Sequence, residues 1–172
     1  MINRIICIAL IAFLISACGV YATVNTEKDK VASTAAEIVD FDLPKGYKPE
    51  FSASLSGYKM VSYNPGDDRS HLYLIQSEKD SDGDKLAKMI RQIAPGTSDP
   101  QTRMTIIETR PTTIRGQEVT MVISDGVTSE GEPYRQVMIA FQGNGGPALV
   151  MLSEPVARWN QEQVDAFIAS IH

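Results

Sequence analysis

Histidine, cysteine and tryptophan are almost missing from this chain, at two, two and one among 172 residues. Both cysteines, Cys7 and Cys18, fall in one apolar run near the start, so residues 25–172 hold none. That excludes a disulfide framework, a thiolate metal site and a thiol nucleophile from the remainder. The two histidines, His71 and His172, do not supply the three protein ligands of a catalytic zinc without carboxylate help. A Ser-His-Asp site would depend on His71, and no Gly-x-Ser-x-Gly elbow occurs anywhere. His71 reads instead as a strand-end residue with a local hydrogen bond. Basic charge is also short: Lys plus Arg is 16 against 21 for Asp plus Glu, a net charge of −5. Nucleic-acid binding draws on a basic patch, so no nucleic-acid partner is expected. What remains is an ordinary globular composition of a size that fits one folded domain.

No charge interrupts residues 5–24, which include Ile5, Ile6, Ile8, Leu10, Ile11, Phe13 and Leu14. Twenty residues at ~1.5 Å each would span the ~30 Å of bilayer hydrocarbon, with Tyr21 near an interface. One expectation is therefore an uncleaved N-terminal membrane helix. The other rests on Leu14-Ile15-Ser16-Ala17-Cys18, which resembles a bacterial lipobox and implies a lipidated Cys18 as the mature amino terminus. Residues 1–24 are thus expected to be a transmembrane anchor or a lipoprotein signal, with the membrane as partner through 5–24. The short leader carrying Arg4 is the usual export geometry, so the folded part is expected on the extracytoplasmic side.

Residues 25–36 are small and polar with paired charges, and read as a solvated tether that can include some helix. A single α+β domain is expected over 37–172. Ile38-Val39-Asp40-Phe41 is rich in strand formers and is broken by Leu43-Pro44-Lys45-Gly46-Tyr47. Residues 58–63 and 71–76 flank Asn64-Pro65-Gly66-Asp67-Asp68, a turn, and should pair as a hairpin. Leu86, Met89, Ile90 and Ile93 lie at helical spacing in 84–93, ahead of Pro95-Gly96. Strands are then expected at 104–109, 118–124, 134–142 and 148–152, the last two joined by Gly143-Asn144-Gly145-Gly146. A closing helix begins at Asn160, an N-cap with Gln163 three residues on, and presents Val164, Phe167, Ile168 and Ile171 on one stripe. The fold class expected is α+β: a curved antiparallel sheet of about six strands packed with two helices, preceded by the membrane helix.

This pattern resembles the PsbP-like fold. The pieces that carry the likeness are Leu43-Pro44-Lys45-Gly46-Tyr47, the Ile114-Arg115-Gly116 step into a long hairpin, and the closing Phe167-Ile168-Ala169-Ser170-Ile171. It is also similar in arrangement to membrane-tethered bacterial envelope proteins. The resemblance implies a fold and no particular activity.

Candidate chemistry is sparse. Asp80-Ser81-Asp82-Gly83-Asp84 looks like part of a calcium loop, yet with Glu78 first and Gly83 sixth the twelfth position is Met89, where a bidentate Glu belongs. It reads as a turn that caps the following helix. The glycine run at 143–146 is followed by no Lys-Ser or Lys-Thr, so it is a hairpin tip and no phosphate cradle. Glu130 and Glu132 flank a turn, and Arg110, Arg115 and Arg135 read as solvated charge. Trp159 is expected to pack onto Gln163 or Val164 as a hydrophobic staple. No catalytic, cofactor or metal residue is assigned; the one candidate modification site is Cys18. The function expected is a membrane-tethered, non-enzymatic binding or accessory module of the cell envelope with an envelope protein as partner. Two alternatives stay open: a membrane-bound hydrolase using Asp67, Asp68, Asp125 or Glu154, and a carrier for a small apolar ligand.

Overall fold

The structure, a computed structural model, describes residues 22–55, 57–67, 69–77, 104–128 and 130–172. Eight strands form one sheet: β1 (Ala22–Asn25), β2 (Lys48–Leu55), β3 (Tyr58–Asn64), β4 (His71–Ser77), β5 (Thr105–Ile114), β6 (Gln117–Val127), β7 (Pro133–Gln142) and β8 (Pro147–Pro155). Their order is β1-β2-β3-β4-β8-β7-β6-β5, and every neighbouring pair is antiparallel. The sheet is therefore two four-stranded meanders joined along a single seam, β4 against β8. The expected pairing of 58–63 with 71–76 is present as β3 and β4.

Two helices are described, α1 (Lys28–Ile38) and α2 (Gln161–Ala169), with a short turn of 3-10 helix at Val156–Arg158 between β8 and α2. Both place their apolar residues in the main core. Val31, Ala35 and Ile38 of α1 join Val164, Phe167 and Ile168 of α2 over Val61, Leu72, Leu74, Val137, Ile139, Val150 and Leu152 of the sheet. Val31 and Ile38 are fully buried. Each such side chain contributes about 1.5–3 kcal/mol relative to exposure, which holds an otherwise polar helix on the sheet. Phe41 bridges the layers, edge-on to both Tyr63 and Phe167 at 5.8 Å. The alternate residues of the strands point the other way, and Met60, Tyr73, Ile75, Leu149 and Met151 form a second cluster on the opposite face.

α2 matches its expectation closely. Asn160 Oδ1 accepts the Gln163 N–H at 3.1 Å, the predicted cap. The glycine run is a hairpin loop between β7 and β8, also as expected, and it has a second task. Asn144 donates its backbone N–H to Ile38 O at 2.8 Å and its side-chain amide to Ala36 O at 3.0 Å, so this loop closes the C-terminal carbonyls of α1.

Four expectations need correction. The sheet has eight strands, not about six. The additions are β2, whose alternation is broken by Pro49 and by a register shift between Pro49 and Phe51, and β1. No helix among the described residues is long and apolar enough to cross a membrane. Residues 22–24, read as the end of a membrane helix, are instead in β1, with Ala22 opposite Leu55 and Val24 opposite Ala53. Thr23 and Val24 are good strand formers, and pairing with β2 satisfies a backbone that a helix would satisfy internally. Most of the polar stretch 25–36 is no open tether: it lies in α1, where Val31 and Ala35, after Lys28 and Lys30, supply a thin apolar stripe. The strand expected at 38–41 is absent: Ile38 ends α1, and residues 39–41 are in neither helix nor strand. The helix expected over 84–93 lies outside the described residues.

The register fixes two ends of the sheet. The near end collects Ala22, Leu55, Tyr58, Ser77, Gln142, Pro147, Ile114 and Gln117. The far end collects Lys48, Asn64, His71, Pro155, Tyr134 and Asp125. One of the two outer edges, β5, is protected by a bulge between Ile106 and Glu108 and by Pro111, two devices that discourage pairing with another strand.

Candidate functional site

The far end gathers the charged chemistry. Asp125 of β6, Arg135 of β7 and Glu154 of β8 stand directly opposite one another on three neighbouring strands. Strand parity puts all three on the helix-bearing face, in line with Ile123, Val137 and Leu152. Arg135 grips Asp125 with two parallel bonds, Nε to Oδ1 at 2.6 Å and Nη2 to Oδ2 at 2.8 Å. This fork is the strong form of the pair, and it holds the Asp125 carboxyl below the usual range. The Arg135 guanidinium also lies 5.7 Å from the centre of the Trp159 ring, a cation–π contact.

Glu154 meets a residue from the opening of the domain. Pro44 O accepts the Tyr47 N–H at 3.1 Å, and Gly46 sits at φ +93 in this turn, a conformation that glycine adopts at little cost. The turn delivers Tyr47, 8% exposed, to the sheet, where its hydroxyl donates to Glu154 Oε1 at 2.7 Å. Burial pushes the Glu154 carboxyl above its ordinary value, and nearby Asp67 adds to this; the Tyr47 hydrogen bond and Arg158 pull the other way. Tyr47 itself is raised, first by burial and then by its bond to Glu154.

Asp67 organises the loop between β3 and β4. Its Oδ1 accepts backbone N–H groups of Arg69 at 2.8 Å and Ser70 at 2.7 Å, and Arg158 closes an ion pair on its other oxygen. Burial opposes ionisation there, but these donors and the guanidinium outweigh it and hold Asp67 low. A polar chain continues along α2: Trp159 Nε1 donates to Gln161 Oε1 at 3.1 Å, Gln161 donates to Asp165 at 3.0 Å, and Asp165 pairs with Arg110. Arg110 Nε is also 3.3 Å from Glu108.

Of the four carboxylates singled out in the sequence, Asp67, Asp125 and Glu154 thus share one end of the sheet, and Asp68 lies outside the described residues. So do Asp80, Asp82, Asp84 and Cys18. Glu130 and Glu132 are exposed beside their turn. Trp159 packs partly against the main core, with its N–H directed to Gln161. Arg135 and Arg110 are ion-paired, and Arg115 donates to Gln142 O at 3.2 Å. Among the described residues no group of three His, Cys, Asp or Glu side chains is placed to hold a metal.

His71 opens β4, as expected of a strand-end residue, and stacks on Tyr73 at 5.6 Å on the opposite face. Its Nδ1 lies 3.7 Å from Glu50 Oε2, the oxygen that accepts from Ser62 Oγ at 2.6 Å. Ser62 is fully buried and bonded to the acid instead of the imidazole, so these three residues are not arranged as a nucleophile, base and orienting acid. Burial raises Tyr73 to about 12.

Sequence reasoning missed Tyr47, Arg158 and the fork on Asp125. The signal for the last was present: Asp125 and Arg135 flank a turn at ten residues' separation, the spacing of partners across a hairpin.

No protein-family model matches the chain, and no curated protein matches it. Among solved structures the chain is similar to the crystal structure of LpqN, described as involved in cell envelope biogenesis of Mycobacterium tuberculosis. The identity is 12% and the TM-score 0.39, over 94% of this chain and 95% of that chain. This is a weak likeness of fold to an envelope protein. It gives no specific support to a PsbP-like fold and says nothing of activity.

Proposed function

We propose that this chain is a lipid-anchored binding module of the bacterial cell envelope, acylated on Cys18, with its folded domain on the extracytoplasmic side. One observation carries the reading: Ala22, Thr23 and Val24 are paired with β2 in the sheet. The sheet thereby claims the end of the apolar run and leaves 5–21. Seventeen residues at ~1.5 Å would reach about 25 Å, at the short end of what spans the ~30 Å of hydrocarbon. The same boundary leaves Leu14-Ile15-Ser16-Ala17-Cys18 just ahead of the folded part, as cleavage and acylation at that cysteine require.

The far end supports binding over hydrolysis. Asp67 and Asp125 are each occupied by an arginine, and Glu154 by the Tyr47 hydroxyl. A general acid and base pair needs carboxyls that reach a substrate. Here the charges close on one another, and what they present outward is a fixed pattern of guanidinium, carboxylate and the half-buried indole of Trp159. Such preorganised side chains suit recognition of an envelope protein surface.

Intact-mass measurement of the full chain extracted from bacterial membranes tests the reading. The expected product begins at Cys18 and carries acyl chains, and Cys18→Ser abolishes both cleavage and acylation. An uncut, unmodified chain in the soluble fraction would overturn it.

A further inference from the structure

Attachment at Cys18 has a geometric consequence. Only Gly19, Val20 and Tyr21 separate Cys18 from the first residue of β1. Whatever their conformation, four residue steps span at most about 14 Å. Ala22 pairs with Leu55 beside the β2–β3 turn, so the tether enters at the near end of the sheet. The far end lies a full strand away: β6 runs eleven residues from Gln117 to Val127, roughly 34 Å at ~3.4 Å per step.

We propose that the domain stands end-on at the membrane, with its near end against the lipid headgroups and its charged end displayed outward. This rests on acylation of Cys18 and adds what that reading leaves open, namely the surface that meets the lipid. The near end suits that place. Among the described residues its hairpins turn through Arg115-Gly116 and the glycine loop at 143–146. Arg115 in the β5–β6 turn is exposed, and beyond its bond to Gln142 O its guanidinium has donors left for headgroup phosphates. Glu118 and the pair of Lys59 with Glu37 lie close by, so attraction to an anionic surface is modest and the short tether sets the orientation. The far end carries the exposed carboxylates Glu130 and Glu132 in its β6–β7 turn, which an anionic surface repels.

Two single-cysteine variants of the acylated full chain test this, Gln117→Cys at the near end and Glu132→Cys at the far end. Both positions are exposed, and residues 25–172 have no native cysteine, so a thiol-reactive fluorophore marks one place. In phosphatidylethanolamine and phosphatidylglycerol vesicles bearing a headgroup nitroxide, quenching at Gln117→Cys should exceed that at Glu132→Cys at least threefold. Twelve Gly/Ser residues inserted between Val20 and Tyr21 should bring the two to equality. Equal quenching without the insertion overturns the end-on orientation, as does stronger quenching at Glu132→Cys. A bias that survives the insertion overturns the role of the short tether. Intact mass is read on the same samples: an acylated chain without the bias defeats the orientation alone, whereas an unacylated chain defeats the proposed anchorage.

Discussion

The two ends of the sheet are built by different means. At the near end the main chain does most of the work. The glycine loop at 143–146 lies on Gln76, with the Gly145 N–H donated to Gln76 Oε1 at 2.9 Å, and the loop closes α1 through Asn144. At the far end side-chain charge takes over, with Asp67 paired to Arg158, Asp125 to Arg135 and Glu154 to Tyr47 across three strands, two loops and the 3-10 turn. Main-chain closeness resists added volume and is indifferent to pH and salt. A charged network responds to both. A surface meant to sit still and a surface meant to recognise something would be divided in this way.

The contrast breaks most sharply at Gly146. It holds φ +144, and a Cβ there would lie 2.4 Å from Ser77 O, a backbone atom that cannot swing aside. Gly146→Ala should cost about 2–4 kcal/mol, seen as a lower urea midpoint for the full chain in detergent. A loss under ~0.5 kcal/mol would show the near end to be looser than described.

At the far end Arg135→Ala removes the fork on Asp125. The two side chains are 27% and 35% exposed, so the expected loss is about 1 kcal/mol. Added salt should shrink it, whereas the Gly146→Ala loss should stay constant.

The pH dependence divides the far end itself. Glu154 is raised in the folded state, so its unfolded form gives up the proton first. Its contribution is full below the ordinary glutamate range and fades as pH rises through the raised value. Asp67 and Asp125 are lowered. Their contributions are present above the ordinary aspartate range and fade as pH falls through the lowered values. Glu154→Gln should therefore remove the loss on the rising side and leave the acid-side loss in place, as read from urea midpoints across pH 3 to 8. Unchanged curves on both sides would contradict the burial of Glu154.

The smallest expected effect returns to the near end. Arg115 holds φ 53, the one left-handed residue besides glycine among the described residues. Arg115→Gly should gain roughly 0.5–1 kcal/mol, less whatever its bond to Gln142 O supplies. A loss would mean that this bond matters more than the backbone strain.

How far these features could be read in advance depended on how local they are. The cap at Asn160 and the stripe Val164, Phe167, Ile168 and Ile171 sit within twelve residues, and α2 was legible. The hairpins β3–β4 and β7–β8 carried their own turns. α1 was not legible because its stripe is only Val31, Ala35 and Ile38, set among lysines and small polar residues whose composition reads as linker. β1 was hidden inside an apolar run whose last members serve the sheet. The carboxylates Asp67, Asp125 and Glu154 were visible as residues, but not as a site. Arg158 is 91 positions from Asp67, and Tyr47 is 107 from Glu154, and no periodicity joins partners that only the sheet order brings together. The Leu43–Tyr47 element was visible as a turn that ends a short run of strand formers, but nothing local showed that its tyrosine ends on Glu154.

The seam between the meanders carries a consequence for biogenesis. β4 is finished at Ser77, yet the strand that covers its second side starts only at Pro147 and ends at Pro155. During synthesis β4, the last strand of the first meander, keeps an open row of amide and carbonyl groups until β8 has been made. Truncation anywhere before β8 leaves that row permanently bare, and such a fragment is a template for aggregation where the complete chain is not.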